Sequence, residues 1–357
     1  MLFVSFRKLE LVKRYPLQIS RGTSTSTENL FVFVSDGTHA GVGELSPATA
    51  SEWTAEKGQA QLQEFLGAKG DDDLKSAPLL DHGHAPHVIW RAMKDANIDP
   101  PAMAALDVAL WDLLAKQANM PLYKMLGLPR DCVPTSVTIG INPPEVIKER
   151  VPEILKQTGA KYLKVKLGSP DGIEADRVNF EAAAKAARPF GVGLRVDANG
   201  GWTVGGAKSM LTWLSAQNVD YVEQPLPEGS EDDLRALYHN RPLPIFIDES
   251  CRFSEDVARY ADRVDGVNLK LMKCGGITEA LRIVATARAH HLRTMIGCMS
   301  ESSVAIAAGA AMGALFDYID LDSHLNLNPD PAMGAEIQSG VVSPRDVPGH
   351  GAELPHA

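Results

Sequence analysis

From residue 135 onward the chain alternates between two kinds of segment, and this alternation narrows the possible folds more than any other feature. Short apolar runs read as strands: "TSVTIGI", "YLKVKLG", "VGLRVDAN", "VDYVEQP", "LPIFIDES", "VDGVNLKL", "LRTMIG" and "FDYIDLD". Stretches such as "EADRVNFEAAAKAAR", with apolar residues at helical spacing, separate them. Parallel strands need a crossover between neighbours, so eight strands alternating with helices over about 190 residues imply a parallel (β/α) barrel. A doubly wound open sheet is the rival, but no glycine-rich nucleotide turn follows the first strand.

The residues before the repeat read differently. "LFVFVSDGTHAGVGEL" places two apolar runs around the turn signal Asp36-Gly37, so residues 1–60 are expected to form a small meander. A helical region follows to about residue 127. In "PPAMAALDVALWDLLAKQANMPLYKMLG", Met103, Leu106, Leu110, Leu113 and Leu114 recur at helical spacing, and Asn119 and Pro121 stop the helix. "DHGHAPHVIW" gathers His82, His84 and His87, but glycine and proline break it and Asp81 is its sole carboxylate. It reads as a surface loop rather than a metal site, and Asp71, Asp72 and Asp73 as a solvated charge run.

Composition removes several functions. A formal net charge of −10 with no basic cluster argues against a nucleic-acid surface. Charge interrupts "MLFVSFRKLELVKRY" before a signal-peptide core can develop, and no apolar run reaches the roughly 18 residues of a membrane span. Cys132, Cys251, Cys274 and Cys298 are dispersed, as expected of reduced thiols in a cytoplasmic protein.

Parallel barrels carry their chemistry at the C-terminal ends of their strands. Here those ends offer Thr138, then Lys164 and Lys166, Asp197, Glu223, Asp248, Lys270, and finally Asp320 and Asp322. Three successive strands ending in carboxylates, with no histidine or cysteine among them, suit a hard cation, with Mg²⁺ the first choice. Lys164 and Lys166 share one face of "KYLKVKLG" about 6.6 Å apart, where their repulsion would be about 2.5 kcal/mol, close to two pKa units. That repulsion and a nearby cation would depress a lysine toward use as a base near neutral pH.

The order Lys-x-Lys, Asp, Glu, Asp, Lys at these strand ends resembles the enolase superfamily, in its muconate lactonizing enzyme subgroup. "GVGELSP" and "AALDVALWDLLAKQANMPLYKMLG" carry the resemblance into the first third of the chain. The resemblance implies an α/β chain, a (β/α)7β modified TIM barrel with an α+β capping domain. The cap would span residues 1–128, completed by 330–357, and the barrel 129–329. It also implies Mg²⁺-assisted abstraction of a proton α to a carboxylate, through a metal-stabilised enolate; the superfamily is a standard example of a lysine base beside Mg²⁺. By position, Asp197, Glu223 and Asp248 would be the ligands, Lys166 and Lys270 the two acid/base groups, and Lys164 a contact to the substrate carboxylate. Lys273 also lies near strand six, but Lys270 fits the strand end better; Glu249 competes with Asp248 but points the other way along the pleat.

Formal charge helps choose a reaction. Three carboxylates, Mg²⁺ and three protonated lysines leave a mouth of about +2, which suits a dianion; Asp320 and Asp322 bring it to about zero, which suits a zwitterion held through its ammonium. The same Asp-x-Asp is what dipeptide epimerases of this subgroup show. The expectation is a dipeptide epimerase that inverts the α-carbon of the C-terminal residue by two-base proton transfer. Arg21 in "ISRGTST" would reach an acidic substrate side chain, favouring L-Ala-L-Glu, while Thr138 and Cys298 would line the pocket. The alternatives are a cycloisomerase, a dehydratase or o-succinylbenzoate synthase, which lack a need for the aspartate pair, and a non-catalytic binding scaffold. The expected partner is a small dipeptide, with no nucleic acid and no membrane, and self-association into a homo-oligomer stays open.

Overall fold

A computed structural model describes residues 2–49, 51–67, 75–76 and 85–355; Asp71–Asp73, His82 and His84 lie outside them. The meander forms as β1 (Phe3–Ile19), β2 (Gly22–Ser35) and β3 (Ala40–Leu45), with the short β4 (Lys75–Ser76) on the far edge of β1. Asp36 shapes the β2–β3 turn, its Oδ1 accepting from the Thr38 and His39 amides at 2.7 Å each. The β1–β2 register shifts between Val12 and Leu17, so residues 13–16 bulge out of the ladder.

The helices α1 (Ala55–Leu66), α2 (Pro86–Asp95), α3 (Pro100–Gln117) and α4 (Leu122–Met125) follow. His87 is not in a loop: Pro86 starts α2, and the His87 ring meets Trp111 edge-on at 5.8 Å. Helix α3 is buried on nearly every face, because β3 covers one side and the barrel the other. Asn119, at φ +50, ends it as expected.

The eight runs become β5 (Ser136–Ile139), β6 (Tyr162–Lys166), β7 (Gly193–Asp197), β8 (Val219–Glu223), β9 (Ile245–Ile247), β10 (Gly266–Lys270), β11 (Arg293–Gly297) and β12 (Tyr318–Ile319). They pair in sequence order, all parallel, and a bridge between Thr135 and Ile319 joins last to first. The crossovers carry α5 (Pro144–Thr158), α6 (Ile173–Ala187), α7 (Val204–Ser215), α8 (Leu234–Tyr238), α9 (Ser254–Tyr260), the pair α10 (Leu271–Cys274) and α11 (Ile277–Ala289), and α12 (Ser303–Ala311). Among the described residues no α-helix follows β12, only the 3₁₀ turn Ser323–Asn326 and a short antiparallel hairpin (Ile337–Gln338 with Val341–Val342), so the barrel is (β/α)7β as the resemblance implied. Among the described residues no helix is long and apolar enough to cross a membrane.

Three packed regions result. One lies between the barrel strands and their helices, another lies where β2 meets α1, α2 and α3, and a small third inside the barrel holds Tyr221, Phe246 and Met295. A strand's period of two sends alternate residues into the barrel interior. Register then places Lys166 beside Asp197 and Asp197 beside Glu223, at the same height on three neighbouring strands.

Candidate active site

Asp197 and Glu223 are the last residues of β7 and β8, and Asp248 follows β9 directly. All three are fully buried, and one oxygen from each lies within 4.8 Å of the others. Such an all-carboxylate donor set, with no nitrogen or sulfur, fits a hard divalent cation.

The lysines surround this cluster. Lys166 Nζ lies 2.5 Å from Asp197 Oδ2, and Lys270 Nζ lies 2.7 Å from Asp248 Oδ2. Lys164 Nζ sits lower, between Glu223 Oε2 at 2.7 Å and Asp320 Oδ2 at 2.6 Å. Both lysines of β6 are therefore buried in the barrel, not spread on a wet sheet face. Lys166 and Lys270 come from β6 and β10, four strands apart in an eight-stranded barrel, so they approach from opposite sides.

Electrostatics follow from this crowding. Burial, then the charge of Asp197, pushes Glu223 up to about 8. Burial would also raise Asp248, but Lys270 and Lys273 outweigh it and hold the carboxyl below its ordinary value. Burial opposes charge on Lys270 and Lys164 as well, yet Asp248 on the first, and Asp320 and Glu223 on the second, leave both raised. For Lys164 that direction is opposite to the one expected from lysine–lysine repulsion, because its ammonium lies within 2.7 Å of two carboxylates.

The mouth continues toward β5 and β12. Thr138, Lys166, Cys298, Asp320 and Asp322 line one cavity. Asp322 Oδ2 accepts from the Thr138 amide at 2.6 Å, and burial, then Asp320, pushes Asp322 up to about 7. Asp320 keeps Oδ1 buried without a protein partner, an acceptor facing no donor. The Cys298 thiol, raised by burial, donates to the Asp320 carbonyl at 3.2 Å.

Arg21 is engaged elsewhere. Its guanidinium pairs with Glu249 Oε1 at 2.6 Å and donates to the Asn199 carbonyl at 3.2 Å, both through Nη1. Glu249 faces this arginine and not the carboxylate cluster, as the pleat implied.

Sequence reasoning passed over two supports. Asn268, two residues before Lys270 on the same face, donates to Glu223 Oε1 at 2.7 Å. Lys273, weighed as a rival to Lys270, pairs with Asp248 Oδ1 at 2.5 Å and donates to the carbonyls of Asn268 and Cys251 at 3.0 and 3.1 Å. The period of two was enough to find Asn268; nothing local pointed to the inward turn of Lys273.

Comparison with known proteins agrees with this geometry. Residues 4–127 match the mandelate racemase / muconate lactonizing enzyme N-terminal domain, and residues 146–357 match the enolase C-terminal domain-like family. A hydrophobic dipeptide epimerase of Roseobacter litoralis is 56% identical over 355 residues, 99% of each chain. Another, from a Flavobacteria bacterium, is 54% identical, covering 98% of this chain and 97% of that one. The crystal structure of a dipeptide epimerase from Cytophaga hutchinsonii, complexed with Mg and D-Ala-L-Val, superimposes with a TM-score of 0.88 at 30% identity, covering 99% of this chain and 96% of that one. The chain thus belongs to the enolase superfamily, with an N-terminal domain of the mandelate racemase / muconate lactonizing enzyme type.

Proposed function

We propose that this protein is a Mg²⁺-dependent epimerase of hydrophobic dipeptides, inverting the α-carbon of the C-terminal residue. One observation carries the reading: two buried lysines reach the carboxylate cluster from opposite sides, with an Asp-Leu-Asp pair beside them. Inversion at one carbon needs a base on one face and an acid on the other. A cycloisomerase or dehydratase would use the lysines but not Asp320 and Asp322. The names of the relatives, and the commitment of Arg21 to Glu249, favour apolar side chains over L-Ala-L-Glu. The apolar residues Leu17, Ile154, Met299 and Leu325 along the cavity agree with that preference.

Asp197, Glu223 and Asp248 would hold the metal, which when bound offsets negative charge that develops on the substrate carboxylate. Asp320 and Asp322 accept hydrogen bonds from the α-ammonium and fix the dipeptide end to end. Lys164, beneath them, contacts the substrate carboxylate. In one direction neutral Lys166 takes the α-proton while the ammonium of Lys270 delivers a proton to the opposite face; in the other direction the two exchange roles. Solvent exchange then restores each lysine. Thr138 and Cys298 hold the walls of the pocket.

Two further assignments go with this reading. The cap would span residues 1–128 and be completed by 330–357. In support, the Leu122 amide donates to the Gly349 carbonyl at 2.8 Å, and Arg7 donates to the Pro355 carbonyl at 3.1 Å. The four cysteines are free, as suits a reducing cytoplasm. The test is a dipeptide library incubated in D₂O. Deuterium should enter the α-carbon of apolar C-terminal residues; loss of water, or no uptake from any dipeptide, contradicts the proposal.

A further inference from the structure

Two cap motifs carry buried carboxylates that the reaction does not use. In "GVGEL" the period of two puts Gly41 and Gly43 on one face of β3 and Glu44 on the other. A Cβ at Gly41 or Gly43 would lie 2.0 Å from the Ala109 carbonyl or 2.1 Å from that of Ala105, so glycine lets β3 press against the α3 backbone. Glu44 consequently points from the cap into the barrel, fully buried. Its oxygens accept from the Ser302 amide at 2.9 Å, the Ser302 hydroxyl at 2.6 Å and the Ala305 amide at 3.2 Å, all at the start of α12. Asn29 and Ser46, flanking it, each donate to the Ser300 carbonyl at 2.8 Å.

Asp107 in "AALDVALWD" does the same at α11. It is fully buried and accepts from the Thr278 amide at 3.0 Å and the Thr278 hydroxyl at 2.6 Å. Trp111, one turn on, donates its indole N–H to that hydroxyl at 3.0 Å. Gly276, at φ +108, is required here twice over, since a Cβ would fall 2.4 Å from Asp107 Oδ2. These contacts satisfy amides that a helix start leaves open.

The two helices gripped in this way follow β10, which ends in Lys270, and β11, which ends at Gly297. The side of the mouth that carries Lys166 is met differently, by the β1–β2 hairpin tip. There Ser20 donates to the Asn199 carbonyl at 2.7 Å, and Arg21 is 37% exposed. We infer that Glu44 and Asp107 are positioning residues, which fix the exits of β10 and β11 to the cap and so set the placement of Lys270 relative to Lys166. This rests on the two-lysine reading above.

The test uses the full-length protein with L-Ala-L-Leu and L-Ala-D-Leu in D₂O; Lys166→Ala and Lys270→Ala define which lysine serves which epimer. Asp107→Asn keeps the volume but turns a donor toward a donor. Amide hydrogen exchange, read by mass spectrometry, should rise about ten-fold across residues 271–282 and stay unchanged across 160–170. Deuterium uptake should fall about ten-fold from the epimer that Lys270 serves and less than about two-fold from the other. Glu44→Gln should act likewise through residues 298–305. Thr278→Val, which removes the hydroxyl from the barrel side, replaces Asp107→Asn if that variant does not fold. Equal loss from both epimers with a uniform rise in amide exchange would make the carboxylates general stabilisers and overturn the inference. If the unaltered protein took up no deuterium from either epimer, the proposed function would fall, while the amide-exchange pattern would still decide whether the cap holds these exits.

Discussion

Along the barrel strands the inward positions come in pairs two residues apart: Arg195 below Asp197, Tyr221 below Glu223, Phe246 below Asp248, and Tyr318 below Asp320. The upper members are carboxylates paired with lysines. The lower members pack as rings, with Tyr221, Phe246 and Tyr318 at centroid distances of 4.8, 5.1 and 5.3 Å. Arg195 closes the group, 3.7 Å from the Tyr162 ring centre and donating to Ser136 Oγ at 2.8 Å. Apart from the half-buried Tyr318 both layers are buried, so exposure alone does not define them; what separates them is which one opens onto the cap. An aromatic floor gives the charged layer a packed base to stand on, and it lowers the local dielectric, so misplaced charge above it is costly. Lys164 is the exception that joins the layers. It belongs to the lower row by register with Arg195, yet its ammonium reaches up to Glu223 and Asp320.

The largest separation of the two layers should come from removing divalent metal. Exhaustive chelation is expected to abolish epimerisation, Mg²⁺ to restore it, and far-UV circular dichroism to stay unchanged, since the ligands lie only in the upper layer. Full activity in demetallated protein would end the metal assignment.

A cut in the lower layer should do the reverse. Phe246→Ala is expected to cost about 3–5 kcal/mol of folding stability, read from the denaturation midpoint, while turnover per folded molecule changes far less. If stability held and turnover collapsed, the floor would belong to the chemistry.

A smaller effect sharpens the upper layer itself. Asp322→Asn should weaken L-Ala-L-Leu by about 2–5 kcal/mol relative to its N-acetyl derivative, which carries no ammonium. Equal weakening of both, measured as KM or by calorimetry, would make the aspartate structural.

Much of this was legible before folding. The strand–helix alternation gives the barrel, and the rule that chemistry sits at C-terminal strand ends gives Asp197, Glu223, Asp248 and Lys270. That works because a strand's period is fixed at two, so identity at one position fixes the facing of its neighbours. What stayed hidden depends on contacts between distant segments. Arg21 pairs with Glu249, 228 positions away, and a lone loop arginine carries no sign of such a partner. Glu44 reads as an ordinary strand residue and Asp107 as a helix residue, until the cap is seated on α12 and α11. The sign of the Lys164 shift was missed for a related reason: the pattern showed two lysines side by side, but not that Lys164 would meet Glu223 and Asp320.

The central claim is that Lys166 and Lys270 serve opposite faces of one carbon, and α-hydrogen exchange in the single variants tests it most directly. Lys166→Ala and Lys270→Ala are each incubated with L-Ala-L-Leu and L-Ala-D-Leu in D₂O, and deuterium at the leucine α-carbon is followed by NMR. Neither variant should epimerise, because net inversion needs both groups. Each should still exchange one epimer through the lysine that remains, and the two variants should choose opposite epimers. Exchange of the same epimer by both would mean that a single base serves both faces, and would contradict the account.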